Sequence, residues 1–223
     1  MTRIAAFYDV DETIINIKSM FSFLQFFYQS CDGQDKGRSR FESMMKSFQT
    51  MAKERSRAEV NRYYYQQFKG FNRNSFIDMT QSWFQEVHQS DNFFINETLE
   101  TLRWHQAQGH LIVFVSGASH EILRPLASLL NVQHILGVQL ETQDDLFTGA
   151  IIPPQTIGEG KAEAVKYFME KHQICARESF AYGDHHTDIP MLQCVGHPHV
   201  LRGDDVLEQW ASENNGSFIE VIH

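Results

Sequence analysis

The sequence predicts an α/β fold of the Rossmann type, with a mostly parallel sheet, helices on both faces and an inserted block of helices. Short apolar runs alternate with amphipathic stretches over residues 110–222, which is typical of strand and helix repeats in a parallel sheet. An earlier apolar run, residues 4–8, is separated from these repeats by a long segment with helical periodicity and no strand pattern. The 223 residues are enough for one sizeable domain with an insert.

The amino-terminal part is predicted to be one strand followed by helices. Residues 4–8 form a short apolar run of the kind that suits a buried strand. Apolar residues recur at helical spacing within 41–51 and again within 75–89, so each segment should present one apolar face. The polar residues 31–40 are expected to form a loop.

The remainder of the chain is predicted to alternate strands and helices. The expected strands lie at residues 110–117, 134–152 (a strand, a turn and a strand), 179–184, 197–201 and 217–222. The expected helices lie at residues 120–130, with Pro125 as a local kink, and at 160–172, 188–196 and 204–215. We therefore expect a helical cap at residues 15–91 and an α/β core formed by residues 1–14 and 92–223, with the cap over the carboxyl end of the first strand.

Composition and charge argue against several classes of function. The formal net charge is −9, and the short basic clusters at 36–40 and 53–57 are interrupted by acids, so we expect no nucleic-acid partner. No window approaches eighteen apolar residues, and residues 1–10 do not resemble a signal peptide, so we expect no membrane association and a cytoplasmic location. The cysteines form no paired motif and are expected to be buried or half-buried free thiols: Cys31, Cys175 and Cys194. The sequence predicts no particular oligomeric state.

Acidic residues follow the first predicted strand. Asp9 and Asp11 lie two positions apart, with Glu12 beside them. Side chains two apart in an extended chain point the same way, and two carboxylates that face one space repel each other. Such a pair requires a cation, a shared proton or divergence into solvent. Taken alone, the pair favours an acidic loop that has no role, because two Asp residues at this spacing are common.

Two further segments place polar groups beside predicted strands or helices. Ser116 and Gly117 end the strand at 110–117, and a hydroxyl next to a residue without a side chain lets backbone N–H groups approach a phosphate. An ordinary turn with Ser119 as the cap of the next helix is the alternative. Lys161 lies at a helix start, where the helix dipole disfavours it unless it pairs with an anion. A solvated surface lysine is the alternative there.

A third segment adds carboxylates at a strand end. Gly183 permits a tight turn, Asp184 should face the same edge of the sheet as Asp9, and Asp188 follows four residues later. Carboxylates from two strand ends are ligands that Mg²⁺ prefers. His185 and His186 raise the possibility of a transition metal, which we consider less favoured because adjacent histidines in a turn usually diverge.

Four segments, taken together and in order, resemble the haloacid dehalogenase-like (HAD) superfamily. They are AAFYDVDET, VSGAS, TGAIIPPQTIGEGKAEAV and AYGDHHTDIPMLQCVGHP. The chain looks most like subfamily IB, the phosphoserine-phosphatase-like branch, in which an α-helical cap of the C1 type is inserted after the first strand. The resemblance covers essentially the whole chain.

The resemblance implies a Mg²⁺-dependent phosphatase that hydrolyses a small phosphorylated metabolite through an aspartyl-phosphate. Asp9 would attack phosphorus, and Asp11 would protonate the leaving alcohol and later activate water, with crowding by Asp9 and Glu12 raising its pKa. The implied Mg²⁺ ligands are Asp9, the backbone carbonyl of Asp11, and Asp184. The implied phosphate-binding residues are Ser116, Gly117 and Lys161. The implied supporting residues are Asp188, Thr13 and Gly183.

The sequence departs from this branch at two positions that are candidates for substrate contact. Glu12 stands where Gly or Ser is more usual, and Lys18 stands where phosphoserine phosphatases carry a substrate-binding Glu. The substrate therefore stays open among amino-acid and amino-alcohol phosphates, such as phosphoserine and histidinol phosphate. A phosphotransferase and a non-catalytic phospholigand-binding protein are the alternative functions. The aromatic residues of the helical cap are expected to form its core, and a cleft lining is the alternative.

Overall fold

The computed structural model describes residues 3–221, and the strands among them form one seven-stranded sheet. The strands are β1 (Ala5–Tyr8), β2 (Leu111–Ser119), β3 (His134–Gln143), β4 (Leu146–Ile152), β5 (Phe180–Gly183), β6 (His197–Leu201) and β7 (Ser217–Ile219). Their order across the sheet is β4-β3-β2-β1-β5-β6-β7. Every neighbouring pair is parallel except β3 and β4, which form an antiparallel hairpin. The predicted α/β fold with a mostly parallel sheet is confirmed.

Helices fill the long interval after β1 and alternate with the later strands. They are α1 (Ser19–Asp32), α2 (Gln34–Met51), α3 (Arg57–Gln66), α4 (Arg73–Val87), α5 (Asn96–Ala107), α6 (His120–Leu129), α7 (Glu159–His172), α8 (Ile189–Leu192) and α9 (Asp205–Glu213). The first four lie within the residues expected to form the helical cap. Pro125 lies inside α6, and β7 ends before the expected strand end at residue 222, which falls outside the described residues. Residues 1–2 and 222–223 of the expected core also fall outside them.

The prediction of a loop at residues 31–40 is wrong, because this segment is helical apart from Gly33. Only Gly33 separates α1 from α2, and its φ of 85° is a conformation that glycine adopts without strain. Arg40 pairs with Asp32 at 2.9 Å and lies 4.0 Å from the centre of the Tyr28 ring. The polar residues of this segment therefore form the exposed face of two helices.

Most aromatic residues of the helical cap form its core, as predicted, while Phe21 and Tyr64 also line a cavity, which was the alternative. Phe23 packs edge to face against Phe76, and Phe27 against Phe68, each with ring centroids 4.9 Å apart. Such contacts add about 0.5–1.5 kcal/mol each beyond the burial of apolar surface. Of the three consecutive tyrosines at 63–65, only the first is partly exposed. The cap is therefore held together mainly by interlocked rings.

Backbone hydrogen bonds join the helical cap to the core at two places. The segments that enter and leave the cap, 14–16 and 93–95, pair through bonds of 2.8 and 3.0 Å. Residues 70–71 pair with Phe147 of β4 through bonds of 2.7 and 3.0 Å. The cap is thus fixed to the core at its base and also along the β3–β4 hairpin.

Two further expectations concern the membrane and the cysteines. Among residues 3–221, no helix is long and apolar enough to cross a bilayer. The three cysteines are free thiols, as predicted, but the expectation that all are buried or half-buried is wrong for Cys31, which lies exposed near the end of α1.

Candidate active site

The segment after the first strand places a buried carboxylate, Asp9, and a half-buried one, Asp11, at the edge of the sheet beneath the cap. Asp9 directly follows β1, and its N–H donates to the carbonyl of Tyr182 on β5 at 2.9 Å. Asp11 accepts a hydrogen bond from the backbone N–H of Ser19, the first residue of α1, at 3.0 Å. Its other oxygen, Oδ1, is buried and has no partner among the described residues. Burial raises the pKa of Asp11 to about 7, with smaller upward contributions from Asp9 and Glu12. The direction agrees with the prediction, but burial rather than crowding is the main cause.

Lys161 reaches the same place from the start of α7. Its ammonium donates to Asp9 Oδ1 at 2.5 Å and to Asp188 Oδ1 at 2.6 Å, and the residue is only 4% exposed. Burial lowers the pKa of Lys161, but the attraction of Asp188 and Asp9 outweighs it, so the net shift is upward and the amine stays charged. The alternative of a solvated surface lysine is wrong. A lysine at a helix start is tolerated here because its charge is paired.

The turn after β5 supplies two more carboxylates. Asp184 accepts a hydrogen bond from the hydroxyl of Thr13 at 2.9 Å, and the buried Asp188 accepts one from the backbone N–H of His185 at 3.3 Å. A Cβ on Gly183 would lie 2.8 Å from Cβ of Asp188, so only glycine leaves room for that carboxylate. The strand end and its turn therefore bring Asp184 and Asp188 towards the end of β1.

Three of these carboxylates form a cluster that calls for positive charge. One oxygen each from Asp9, Asp184 and Asp188 lies within 4.8 Å of the other two. Burial, with repulsion from Asp9 and Asp188, raises the pKa of Asp184 to about 8, and burial also raises the pKa of Asp9 against the attraction of Lys161. The single charge of Lys161 does not compensate all three carboxylates in their ionised forms, so full ionisation of the cluster requires a further cation. Carboxylate oxygens are the donors that Mg²⁺ prefers, so this cluster fits a hard divalent cation.

Ser116 and Gly117, in the last four residues of β2, are fixed from both sides. Ser116 Oγ accepts from the N–H of Ala118 at 3.1 Å, and the carbonyl of Ser116 accepts from the hydroxyl of Thr156 at 2.6 Å. The carbonyl of Gly117 accepts two hydrogen bonds from the helical cap, at 2.8 Å from the hydroxyl of Tyr65 and at 3.0 Å from the amide of Asn61. The cap therefore helps to orient the predicted phosphate-binding segment. Ser119 also caps α6 at 3.4 Å, as the alternative interpretation of this segment expected, while phosphate binding by Ser116 and Gly117 stays a prediction.

A cavity of about 320 Å³ opens between the helical cap and the edge of the sheet. Its core side is lined by the predicted site residues Asp9, Asp11, Ser116, Gly117, Lys161 and Asp184. Thr13, Gly183 and Asp188 lie behind this surface and contact it indirectly. The predicted site residues therefore converge at one place.

The mouth of the cavity carries the two departures noted in the sequence. Lys18 and Glu12 both line it and form an ion pair at 3.2 Å, with side chains 57% and 48% exposed. At this exposure the pair contributes little to stability, so either charge is available to a ligand. Glu12 has a φ of 60°, in the left-handed region that a non-glycine residue rarely adopts.

The cavity also contains cap residues that the sequence analysis did not identify. Arg57, at the start of α3, lines it and donates to the hydroxyl of Thr187 at 3.0 Å. Arg62, further along α3, donates instead to the side-chain oxygen of Gln155 at 2.6 Å. Ser56 and Glu59 form a capping box. That motif in the sequence marks a helix start and would have placed Arg57 in the first turn of α3.

The two histidines after Asp184 do not diverge as expected. The rings of His185 and His186 have centroids 4.0 Å apart, and both face Asp204 at the start of α9. Hydrogen bonds from His186 and from the first turn of α9 lower the pKa of Asp204 to about 2, against an opposing effect of burial. This second group lies on the outer side of the turn that carries Asp184 and Asp188.

Comparisons with known sequences agree with this arrangement. A model of the family described as haloacid dehalogenase-like hydrolase matches residues 6–193. A probable phosphatase of Mycobacterium tuberculosis is 28% identical over 94% of this chain and 72% of its own length. The "Inhibition of morphological differentiation protein" of Streptomyces azureus is 26% identical over 95% of this chain and 76% of its own length. A histidinol-phosphatase of Neisseria meningitidis is 28% identical over 49% of this chain and 51% of its own length.

Solved structures share the fold at low sequence identity. A protein of unknown function from Bordetella pertussis Tohama I superposes with a TM-score of 0.86 at 19% identity, over 100% of both chains. A phosphoserine phosphatase, solved as a phospho-aspartyl intermediate analogue, superposes with a TM-score of 0.69 at 14% identity, over 98% of this chain and 94% of its own. These similarities concern the arrangement of the chain, including the helices after β1.

Proposed function

Because the chain belongs to the haloacid dehalogenase-like hydrolase family and is a phosphatase, we propose that it hydrolyses a small phosphomonoester through an aspartyl-phosphate on Asp9. One observation carries this proposal. Asp9, Lys161 and Asp184, which are 152 and 23 positions apart in sequence order, line the same cavity as Ser116 and Gly117. A carboxylate nucleophile, a buried ammonium and a phosphate-binding segment in one cavity are the components that phosphoryl transfer to a carboxylate requires.

In the proposed first step, the carboxylate of Asp9 attacks phosphorus and the ester P–O bond breaks. The leaving oxygen takes a proton from Asp11. In the second step, Asp11 removes a proton from water, which attacks the phosphorus and releases Asp9 and inorganic phosphate. A pKa of about 7 suits Asp11 to both tasks, because near neutral pH the group can hold a proton in one step and accept one in the next.

Lys161, Ser116 and Gly117 would bind the phosphoryl oxygens. The ammonium of Lys161 is buried and charged, so it acts at low dielectric on the negative charge that the phosphoryl group carries. The hydroxyl of Ser116 and the backbone of Gly117 are held in place by Ala118, Thr156 and the cap. This side of the cavity therefore orients the phosphoryl group for attack by Asp9.

We further propose that Asp9, Asp184 and the backbone carbonyl of Asp11 would hold Mg²⁺, with Asp188 supporting the site. Burial raises the pKa values of Asp9 and Asp184, and one carboxylate oxygen of each lies close to one of Asp188, which supports this assignment. Bound Mg²⁺ supplies positive charge that offsets the repulsion between a carboxylate and a phosphate dianion. Thr13 holds Asp184, and Gly183 leaves space for Asp188.

The proposed substrate is an amino-acid or amino-alcohol phosphate, such as phosphoserine or histidinol phosphate. The cavity volume of about 320 Å³ admits a small metabolite. Glu12 offers a carboxylate for a substrate ammonium, while Lys18 and Arg57 offer cations for an acidic group. The names of the phosphoserine and histidinol phosphatases among the relatives support this class.

We propose that residues 15–91 act as a cap domain over an α/β core formed by residues 1–14 and 92–223. The pairing of 14–16 with 93–95 supports these boundaries, because the chain leaves the core and returns to it at one point. The contacts of Tyr65 and Asn61 with Gly117 support a role for the cap in completing the site.

The test compares the wild type with Asp9→Asn, using para-nitrophenyl phosphate and a panel of small phosphometabolites. We expect Mg²⁺-dependent hydrolysis by the wild type and a rate lower by about a thousandfold or more in the variant, since the nucleophile is lost. Asp35→Asn, which changes an exposed acid on α2, is the matched control and should behave as wild type.

Equal rates in the wild type and Asp9→Asn would overturn the mechanism. EDTA should abolish turnover, and Mg²⁺ should restore it. Product analysis with an added acceptor alcohol separates hydrolysis from phosphotransfer, because a phosphotransferase would form a new phosphoester instead of inorganic phosphate.

A further inference from the structure

We propose that His185, His186 and Asp204 form a second metal site, for a divalent transition-metal ion such as Zn²⁺, on the outer rim of the active-site cavity. These three side chains are outside the proposed phosphatase machinery. One donor atom from each lies within 4.8 Å of the donor atoms of the other two. The proposal rests on their convergence from two separate loops.

The convergence follows from the sheet. β5 and β6 are parallel neighbours, so the loops that leave their carboxyl ends lie side by side. The first loop carries both histidines, and the second carries Asp204 at the start of α9. His186 Nδ1 lies 2.7 Å from Asp204 Oδ2, and His185 Nε2 lies 3.8 Å from the same oxygen.

The spacing suits one shared ion. Zn²⁺ binds imidazole nitrogen and carboxylate oxygen at about 2.0–2.2 Å in a tetrahedral arrangement, which places neighbouring donors roughly 3–4 Å apart. The distance from His185 Nε2 is within this range. The shorter distance from His186 Nδ1 is a hydrogen bond, and it would lengthen by about half an ångström when the Nδ1 proton leaves for solvent and the ion takes its place.

Each donor is held in position by its remaining atoms. Asp204 Oδ1 accepts from the N–H groups of Val206 and Leu207, each at 3.0 Å, so that Oδ2 faces the histidines. His185 Nδ1 accepts a hydrogen bond from the backbone N–H of Thr187 at 3.2 Å and lies 3.0 Å from the hydroxyl of the same residue, so that Nε2 faces Asp204. Hydrogen bonds to the non-coordinating atoms are the feature that fixes metal-binding side chains before an ion arrives.

The donor set differs from that of the buried carboxylate cluster. Two imidazoles with one carboxylate favour Zn²⁺, Ni²⁺, Co²⁺ or Cu²⁺, whereas oxygen-only sites favour Mg²⁺. The side chains of His185 and His186 are 37% and 48% exposed, so an ion can arrive from solvent and keep a water ligand in the remaining position. Asp184 and Asp188 flank the histidines in the chain, so an ion here would hold the turn that carries both carboxylates.

The experiment titrates Zn²⁺ into the full chain in excess Mg²⁺ and follows binding by calorimetry. We expect one saturable site in the wild type, and binding weaker by about tenfold or more in His186→Ala and in Asp204→Asn. Asn caps a helix about as well as Asp, so Asp204→Asn keeps α9 intact while it removes the anionic ligand. Co²⁺ in place of Zn²⁺ should give a visible absorption band in the wild type that is absent from both variants.

Two controls separate this site from other histidines and from the phosphatase site. His197→Ala removes an exposed histidine of β6, and Asp9→Asn alters the buried cluster; both should bind Zn²⁺ as the wild type does. Unchanged affinity in His186→Ala, or loss of the site in Asp9→Asn, would overturn the proposal. So would a lack of saturable binding up to about 100 µM, which corresponds to a binding free energy weaker than about 5.5 kcal/mol. None of these outcomes depends on whether the chain hydrolyses a phosphomonoester.

Discussion

At the scale of single residues, Lys161 shows how charge pairing fixes the proposed site. The ammonium of Lys161 is buried between Asp9 and Asp188. Asp184 lies close to both carboxylates, and their repulsion adds to burial in raising the pKa of Asp184. Removing one partner from a buried ion pair is strongly destabilising, by about 3–5 kcal/mol, because the other charges are left uncompensated. Catalysis and local stability therefore depend on the same ammonium.

We predict that Lys161→Met lowers turnover by about 100-fold to 1,000-fold, because the phosphoryl oxygens lose a preorganised cation. We also expect Mg²⁺ to raise the unfolding temperature of this variant more than that of the wild type, since a divalent cation would be the remaining compensation for the carboxylates. Steady-state kinetics and thermal unfolding with and without Mg²⁺ measure both effects. Lys166→Met, an exposed lysine on the same helix, is the matched control. A normal rate in Lys161→Met would remove the lysine from the site.

The sequence predicts those site residues that follow strand ends or begin helices near them. Asp9 and Asp184 follow strand ends and Ser116 lies near the carboxyl end of β2, and parallel strands place these ends at one edge. Tyr65 and Asn61 do not belong to this group, since their positions depend on how the cap docks onto the core. No local pattern in the sequence encodes that docking.

At the scale of elements, α3 is the part of the cap that contacts the predicted phosphate-binding segment. Tyr65 and Asn61 of α3 both donate to the carbonyl of Gly117. Gln155, on the segment before α7, donates to the side-chain oxygen of Asn61 at 2.7 Å. A Cβ at Gly117 would lie 3.0 Å from the side chain of Ile157, so the segment is also closely packed from the core side. The orientation of this peptide is thus shared between cap and core.

We predict that Tyr65→Phe lowers kcat/KM about threefold to tenfold, because the carbonyl of Gly117 loses one donor and the segment is less firmly oriented. Kinetics with para-nitrophenyl phosphate, separated into kcat and KM, measure this. Tyr28→Phe removes a hydroxyl that donates to Gln67 within the cap, and it serves as the control. Equal kinetics in the two variants would show that α3 does not position the segment.

The helices themselves are predicted better than their junctions. The apolar periodicity of α2 and α4 is visible in the sequence, because one face of each helix packs against the aromatic core. The direct connection of α1 to α2 through Gly33 was not predicted. A polar segment that contains glycine is typical of a loop, but it is equally typical of the exposed ends of two helices. The antiparallel pairing of β3 with β4 was compatible with the predicted turn, but its contact with residues 70–71 was not predictable from either segment alone.

At the scale of the whole molecule, buried histidines link stability to pH. His105 Nδ1 lies 2.7 Å from His110 Nδ1, and His105 Nε2 lies 2.8 Å from the hydroxyl of Tyr182. Burial, reinforced by His110, lowers the pKa of His105 to about 3, and burial lowers the pKa of His199 to about 4. These groups stay neutral in the folded protein but take up protons near pH 6.5 in the unfolded chain. Stability from them is therefore lost as the pH falls below about 6.5.

We predict that, for each pH unit below 6.5, the free energy of unfolding of the wild type falls by about 1 kcal/mol relative to that of His105→Gln. The comparison uses a variant because Asp11 and Asp184, whose pKa values are raised, act in the opposite direction in both proteins. Denaturant unfolding at several pH values between about 7 and 4.5 measures the difference. A difference that is constant with pH would contradict the neutral, buried state of His105.

The paired segments 14–16 and 93–95 have a consequence for engineering and for descent. Because the segments that enter and leave the cap are hydrogen-bonded to each other, a short linker could replace the cap helices and close the core. A different domain could be inserted at the same position. The two hydrogen bonds between residues 70–71 and Phe147 limit such a replacement, because they also join the cap to the β3–β4 hairpin. An inserted domain would need to form equivalent hydrogen bonds with β4, or the β3–β4 hairpin would have to be exchanged with it. We therefore expect cap and hairpin to change together in evolution.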